Sequence, residues 1–456
     1  MTQVAEKAAH LSNFTRLGES PRGLPAWLES RRKAGIDRFD FIGFPTTREE
    51  EWRHTNVAPI ARTAFKLAGR DGSQLAAETA ARFGFGNDAA VELVFVNGHF
   101  TPHLSRLAKL PRGSRAVNLA DAIENDDAAL EPHLARHADV EKNPFVALNA
   151  GFIRDGAFVH VPRGAIIERP IHLLFVSTPS REPAVAHPRV LIVAEEGAQA
   201  TVVESYVGGG KGVYFTNAVT EIVAGPGARI DHCKLQQENI EAFHVATMQV
   251  QLAKGAQFVS HAASLGSKLA RNDLNVIMAG EHADATLNGL VLIDGEQHVD
   301  NHTLLDHAQP NCPSHELYKH VLAGKSSGVF KGKILVRQGA QKTDSKQTSK
   351  ALLLSDDAVM NSMPALEIYA DDVKCTHGSS LGPVDEEQVF YLRSRGVNLE
   401  AARHLMTYAF AADITRRIRV EPVRRRLEEY MAAQHGLPMD LRITDLGAHD
   451  EAVRQL

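Results

Sequence analysis

Cysteine is scarce: the 456 residues hold three, Cys233, Cys312 and Cys375. Their odd number and wide spacing exclude a disulfide framework. Long apolar runs are missing as well. Nothing approaches the roughly 20 consecutive apolar residues that span a bilayer. The opening "MTQVAEKAAHLSNF" has no apolar core of signal-peptide length. Excess positive charge is absent, and a formal net charge of −5 does not suit a chain whose main partner is nucleic acid. A nucleotide-hydrolysing loop is also lacking. "SYVGGGKGV" contains a Gly-Lys pair, but Ser205 stands where the motif needs its first glycine and Gly212 where it needs Ser or Thr. It reads as a plain loop. What is left is an ordinary soluble composition, 44% hydrophobic and 23% charged. The expected location is cytoplasmic. The length suits two or three domains, or one extended repeat with attachments.

Three textures follow one another. Residues 1–150 read as a mixed helical region with some strand. "LPAWLESRRKAG" has Pro25 near a helix start and Gly35 past its end. In "GFPTTREEEWRHTN", Thr46 or Thr47 is a candidate cap for a helix whose first turn carries Glu49, Glu50 and Glu51. "VELVFVNGHF" is a strand entering an Asn-Gly hairpin, and "LADAIENDDAALEPHLARH" returns to helix. Residues 151–384 consist of short β-branched runs separated by glycine. Gly-Ala pairs start at 156, 164, 197, 227, 255 and 339. From 164 the steps are 33, 30, 28 and 84, the last being three times 28. A period near 30 with several short strands per unit predicts a β-helix, with glycine at corners that need positive φ. A sandwich is the competing arrangement, but it would be unusually long. Residues 385–456 are helical again. Ala402, Met406, Phe410, Ile414 and Ile418 repeat every four residues to make one apolar face, with Asn398 as N-cap. "EPVRRRLEEYMAAQHGLP" is a second helix stopped by Gly436 and Pro438. These helices either cap the last coil or bind a partner.

Two constellations bear on chemistry. "HVDNHTLLDHAQPNCPSHELYKH" gathers His298, His302, His307, His315 and His320 with Cys312. Its "HELYKH" has a five-residue interval where a zinc-protease helix needs four. Ligands on neighbouring coils of a β-helix can converge on a metal, but surface or hydrogen-bonded histidines of a polar coil are the favoured reading of the run. The second is Cys375–Thr376–His377. In a strand, residues i and i+2 share a face about 6.6 Å apart at Cα. A nearby imidazolium would favour the thiolate, the form that binds metal or sulfur. Two ligands do not close a tetrahedral site, and no orienting third group marks a cysteine nucleophile. From spacing alone, ordinary packing is a full competitor.

Several segments resemble the SufB/SufD family of the SUF iron–sulfur assembly system. They are "DNHTLLDHAQPNC", "LYKHVLAGKSSGVFKGKILVRQGAQKTDSKQTSKALLLSDDA", "LEIYADDVKCTHGSSLG" and "DEEQVFYLRSRG", dense over residues 300–400 and looser elsewhere. The resemblance implies a right-handed parallel β-helix core flanked by an N-terminal mixed region and a C-terminal helical one. The few cysteines and the missing C-x-x-C are more similar to the SufD branch than to SufB.

The same resemblance implies function. The chain would be a non-catalytic scaffold subunit of a SufB–SufC–SufD complex. It would pair with SufB through the β-helix and dock the SufC ATPase through its helical end, with Phe390, Tyr391, Leu392, Met406 and Phe410 in contact. His377 and, less directly, Cys375 would face a nascent cluster or iron shared with SufB, with no cofactor tightly held by the isolated chain. A homodimer is possible when the chain is alone. The alternatives are a β-helix metalloenzyme such as a His-metal hydratase, and a SufB-like scaffold acting alone. A polysaccharide lyase is disfavoured because such enzymes are normally exported. The extra Cys and His of "NCPSHELYKH" depart from the family pattern and leave an added metal site open.

Overall fold

The computed structural model describes residues 3–18, 24–125 and 127–435. Its centre is a parallel β-solenoid whose strands alternate between two sheets. Gly156–Val161, Arg189–Ala194, Tyr214–Ala224, Phe243–Leu252, Leu269–Met278, His298–His307 and Ser327–Val336 stack in one. Ile171–Ser177, Gln199–Gly208, Arg229–Gln237, Gln257–Ser264, Asp284–Ile293, Pro313–Leu322, Asp344–Leu353 and Lys374–Gly382 stack in the other. Successive coils pair in register, so that Gln199, Arg229, Gln257 and Asp284 form one column. Alternation then sorts the side chains. Ile230, Phe258 and Ala285 fill the interior, while Cys233 and Leu235 face outward.

One corner explains the glycine repeat and its loss. The residue at that corner has positive φ in every coil: Gly164, Gly197, Gly227, Gly255, His282, Asn311 and Lys342. Each donates its backbone N–H to the next coil, as in Gly227 to the Lys254 carbonyl, His282 to Pro310 and Lys342 to Asp372. The steps are 33, 30, 28, 27, 29 and 31. The repeat therefore persists where glycine does not. The Gly339–Ala340 pair lies three residues before its corner, so its apparent step of 84 was near coincidence. From the second corner on, the next residue is small and buried: Ala198, Ala228, Ala256 and Ala283, then Cys312 and Thr343; Ala165 after the first corner is partly buried.

The N-terminal region closes one end. Val91–Val96 extends the second sheet parallel to Ile171–Ser177 and turns back through Asn97 and Gly98 into His99–Phe100, as the Asn-Gly signal predicted. Arg115–Asn118 closes the first sheet antiparallel to Gly156–Val161. "GFPTTREEEWRHTN" forms only a 3-10 turn, Glu50–Trp52, rather than a full helix. Its side chains clamp the solenoid wall instead. The Arg271 guanidinium lies 4.1 Å over the Trp52 ring and bonds Asp300 at 2.7 Å. Lys331 meets Glu51 at 2.8 Å, and His302 and Lys331 hold the Glu51 carboxyl down at about 2. "LADAIENDDAALEPHLARH" is helical only over Leu119–Glu124. From residue 127 on it is irregular, and the backbone N–H groups of residues 135–138 turn to the buried Glu221 carboxylate.

The helix read as ending at Gly35 runs on, Ala26–Ile42. Gly35 sits inside it because the helix Pro144–Gly151 crosses there. A Cβ on Gly35 would lie 2.8 Å from the Ala147 carbonyl oxygen and 2.9 Å from the Gly151 nitrogen. At the other end, Glu386–Ser394, Leu399–Thr415 and Glu421–His435 lie along the outer face of the second sheet, not over the last coil. Asn398 caps the middle helix through the Ala401 N–H. The proposed stop at Gly436 and Pro438 lies outside the described residues.

Gly35→Ala tests the helix crossing. Alanine would gain about 1 kcal/mol of helix propensity, but overpacking against rigid backbone loses about 1–3 kcal/mol. The melting temperature should fall. A rise would mean the crossing is looser than described.

Candidate functional site

The two ends of the solenoid differ. At the C-terminal end, the outer edge of Lys374–Gly382 has no strand beside it among the described residues. The same holds for Val359–Ser362 and Ala365–Ile368, which end the other sheet. A free parallel edge exposes a row of unpaired N–H and C=O groups. Apolar side chains accompany it: Val359, Ile368, Tyr369 and Leu381 are all exposed.

Cys375 and His377 lie on this last strand, paired with Ser345 and Gln347 of the coil below. They share the face that belongs to the interior columns, as the i, i+2 spacing predicted. Their environments differ. His377 is exposed, whereas Cys375 is half-buried against the solenoid interior. The expectation of a favoured thiolate fails. Burial pushes the Cys375 thiol up and Asp344 adds to this, outweighing the Ser345 backbone N–H that pulls the other way.

Beneath each of the two stands a buried polar column. Under Cys375, the Ser345 hydroxyl meets the Ser314 hydroxyl at 2.7 Å, and Ser314 meets His307 Nε2 at 3.0 Å. Under His377, Gln347 Nε2 donates to Glu316 Oε2 at 2.6 Å. Glu316 is enclosed, and burial pushes its carboxyl up to about 7 despite the Gln347 hydrogen bond and the Thr303 hydroxyl nearby. Reading for clusters within one stretch missed these columns. The signal was the repeat itself. Ser314, Ser345 and Cys375, and likewise Glu316, Gln347 and His377, are separated by one coil each.

The histidine-rich stretch is dispersed by the same alternation. His298 bonds Thr55 and Ser327, and His302 joins the Arg271–Asp300 clamp. His307 and His320 are buried, and burial pushes each down to about 4. Cys312 fills the small-residue place at its corner, with its thiol toward the Gly280 and Pro310 carbonyls. Cys233 packs under the C-terminal helices. Among the described residues no group of three or more His, Cys, Asp or Glu side chains is placed to hold a metal ion. Of "SYVGGGKGV", residues 205–208 end the strand Gln199–Gly208, and only residues 209–213 form the expected loop, leading to Tyr214–Ala224.

Of the five expected docking residues, Phe390 (72% exposed) and Tyr391 (42%) stand out in solvent. Leu392, Met406 and Phe410 are half-buried against the chain's own sheet. Lys319 fixes this packing. Its ammonium lies 4.5 Å from the Phe410 ring centroid and meets Asp413 at 2.9 Å. The apolar face of Leu399–Thr415 is thus largely used within the chain. No helix among the described residues is long and apolar enough to cross a membrane.

Residues 175–410 match the family model described as SUF system FeS cluster assembly, SufBD core domain, and residues 21–173 match the SufBD protein N-terminal region. The chain belongs to the SufBD family. It is 32% identical over 415 residues to the iron–sulfur cluster assembly SufBD family protein slr0076 of Synechocystis, covering 89% of this chain and 91% of the relative. It is 32% identical over 388 residues to the iron–sulfur cluster assembly protein SufD of Escherichia coli, covering 84% and 88%. The SufD of Bacillus subtilis is 25% identical over 437 residues, 93% and 97%. SufBD membership accounts for the solenoid with its two flanking regions and assigns the chain to iron–sulfur cluster assembly.

The Glu316 carboxyl makes stability depend on pH. Its folded value of about 7 exceeds the ordinary 4.5, so the folded chain keeps a proton that the unfolded chain releases. The penalty is absent below pH 4.5, grows between 4.5 and 7, and reaches about 3 kcal/mol above that. Glu316→Gln should therefore raise the melting temperature more at pH 8 than at pH 5. An equal shift at both would show that Glu316 is not held neutral.

Proposed function

We propose that the chain is the SufD-like, non-catalytic subunit of a SufB–SufC–SufD assembly, and that its open last coil is where SufB pairs. The observation that carries this reading is the asymmetry of the solenoid. At one end each sheet finishes in a short antiparallel strand, His99–Phe100 or Arg115–Asn118, whereas at the other the sheets stop at parallel coil strands with Cys375 and His377 on the edge. Strand addition across that edge would satisfy the free backbone groups and cover Ile368, Tyr369 and Leu381. It would also bring a partner's side chains to a half-site that has two of the four ligands a tetrahedral iron needs. His377, exposed and unencumbered by the core, is the better candidate to touch iron or a nascent cluster; the raised thiol of Cys375 suits a supporting place. The cluster is cargo of the complex rather than a resident group of this chain. Without SufB, the same edge would pair two copies about a two-fold axis.

ATP hydrolysis is assigned to SufC. Its docking surface on this chain is centred on the exposed Phe390 and Tyr391, with Leu392, Met406 and Phe410 holding the helices to the solenoid.

Co-expression with SufB and SufC tests the reading. His377→Ala should leave the three proteins co-purifying while iron and sulfide per complex fall several-fold, and Cys375→Ala should fall less. Replacing Phe390 and Tyr391 together by Ser should release SufC and retain SufB. Unchanged cluster content in His377→Ala would remove that residue from the site, and retained SufC would move the docking surface elsewhere.

A further inference from the structure

The interior column below His377 has an end to which the cluster-assembly role assigns nothing. Glu316, Gln347 and His377 are ladder partners on three successive coils. Adjacent strands lie about 4.8 Å apart, so each side chain reaches the next. Gln347 is buried and its amide has two poles. The nitrogen is committed to Glu316 Oε2 at 2.6 Å. The oxygen, Gln347 Oε1, is buried without a hydrogen-bond partner. Leaving such an oxygen unmet is unfavourable. Outward along the column, the next side chain is His377, and an imidazole N–H is a suitable donor.

The opposite sheet holds the amide in this orientation. Gly332 lies against it, and a Cβ there would come within 2.3 Å of Gln347 Nε2 and 2.7 Å of the Phe330 ring. Phe330 is itself fully buried. The amide is therefore confined between Gly332 and Glu316, with little room to swing away.

We propose that Gln347, oriented by Glu316, is a positioning residue for His377: its free carbonyl oxygen accepts the proton of one ring nitrogen and so leaves the other nitrogen bare at the open edge. The orientation of the ring stands by itself. Its use in presenting a bare nitrogen to iron rests on the functional reading above. A metal ligand imidazole must be neutral with one nitrogen free, and the partner of the other nitrogen decides which. Here the deciding partner, Gln347, comes from inside the solenoid one coil below, and is itself held by Glu316 two coils below.

The test uses the full isolated chain, labelled with ¹⁵N on histidine ring nitrogens. Spectra are taken at pH 8.5, above the ordinary histidine range, and the His377 signals are assigned by their loss in His377→Ala. In the wild type, one His377 tautomer should dominate by about fivefold, the size of one net hydrogen bond. Gln347→Leu should bring the two tautomers to comparable populations. Glu316→Gln keeps an acceptor for the Gln347 nitrogen and should behave like the wild type. Glu316→Leu, two coils from the ring, should again mix the tautomers, and it serves as the second probe if Gln347→Leu does not fold. A mixed population in the wild type, or a tautomer indifferent to Gln347 and Glu316, overturns the proposal. Cluster content is read separately through His377→Ala. If that variant keeps its cluster while the tautomer still follows Gln347, the positioning stands and the functional reading falls.

Discussion

Everything in this molecule depends on one backbone contact, repeated coil after coil. The corner residue turns with positive φ and gives its N–H to the carbonyl of the next coil, from Gly164 through Lys342. This bond and the in-register ladders on either side stack the coils without slippage. Register makes the columns, and the columns decide which side chains meet. A solenoid built this way has no internal reason to stop. Its ends must be dealt with separately. The first coil is extended by Val91–Val96 and ends in the short antiparallel strands His99–Phe100 and Arg115–Asn118; the last stops at parallel edges. An unpaired edge invites another strand, and this one carries the residues of the candidate site.

Stacking also sets the chemistry. Polar residues that enter the interior are buried together in files, where hydrogen bonds to the coils above and below replace water. Glu316 shows the limit of that compensation: with one oxygen bonded and the other unmet, its carboxyl is pushed up to about 7. The Arg271–Asp300 pair on the outer wall shows the opposite result. There the adjacent guanidinium, with His302 and Thr55, outweighs burial and holds the carboxyl well below its usual range. The same clamp ties the N-terminal Trp52 segment to the coils. The open edge is therefore presented by a rigid stack, and the site it bears is oriented from within.

The solenoid was legible because glycine at positive φ leaves a mark every 28 to 33 residues. The mark faded where His282, Asn311 and Lys342 took the same conformation; the backbone demand continued although the residue type did not. Gly35 misled in the other direction. It looked like a helix stop, but its role is to admit Ala147 and Gly151 of a crossing helix, a contact that no local pattern reveals. The shared face of Cys375 and His377 followed from period two. What the neighbours below them are did not, because that requires register across 30 residues. The apolar stripe of Leu399–Thr415 was visible, but a stripe does not say whether it faces its own sheet or a partner; Lys319 and the outer face of the second sheet use most of it. The histidine run looked like a cluster only because distance along a strand is not distance across a sheet.

The central claim is that the last coil is an edge built to be paired. Backbone amide exchange of the chain, alone and mixed with SufB, tests it most directly. Pairing predicts that amides of residues 359–368 and 374–382 slow by at least about tenfold on mixing, the protection given by about 1.4 kcal/mol, while the corner amides from Gly197 to Asn311 are unchanged. A complex that forms with no protection at those strands would contradict the account.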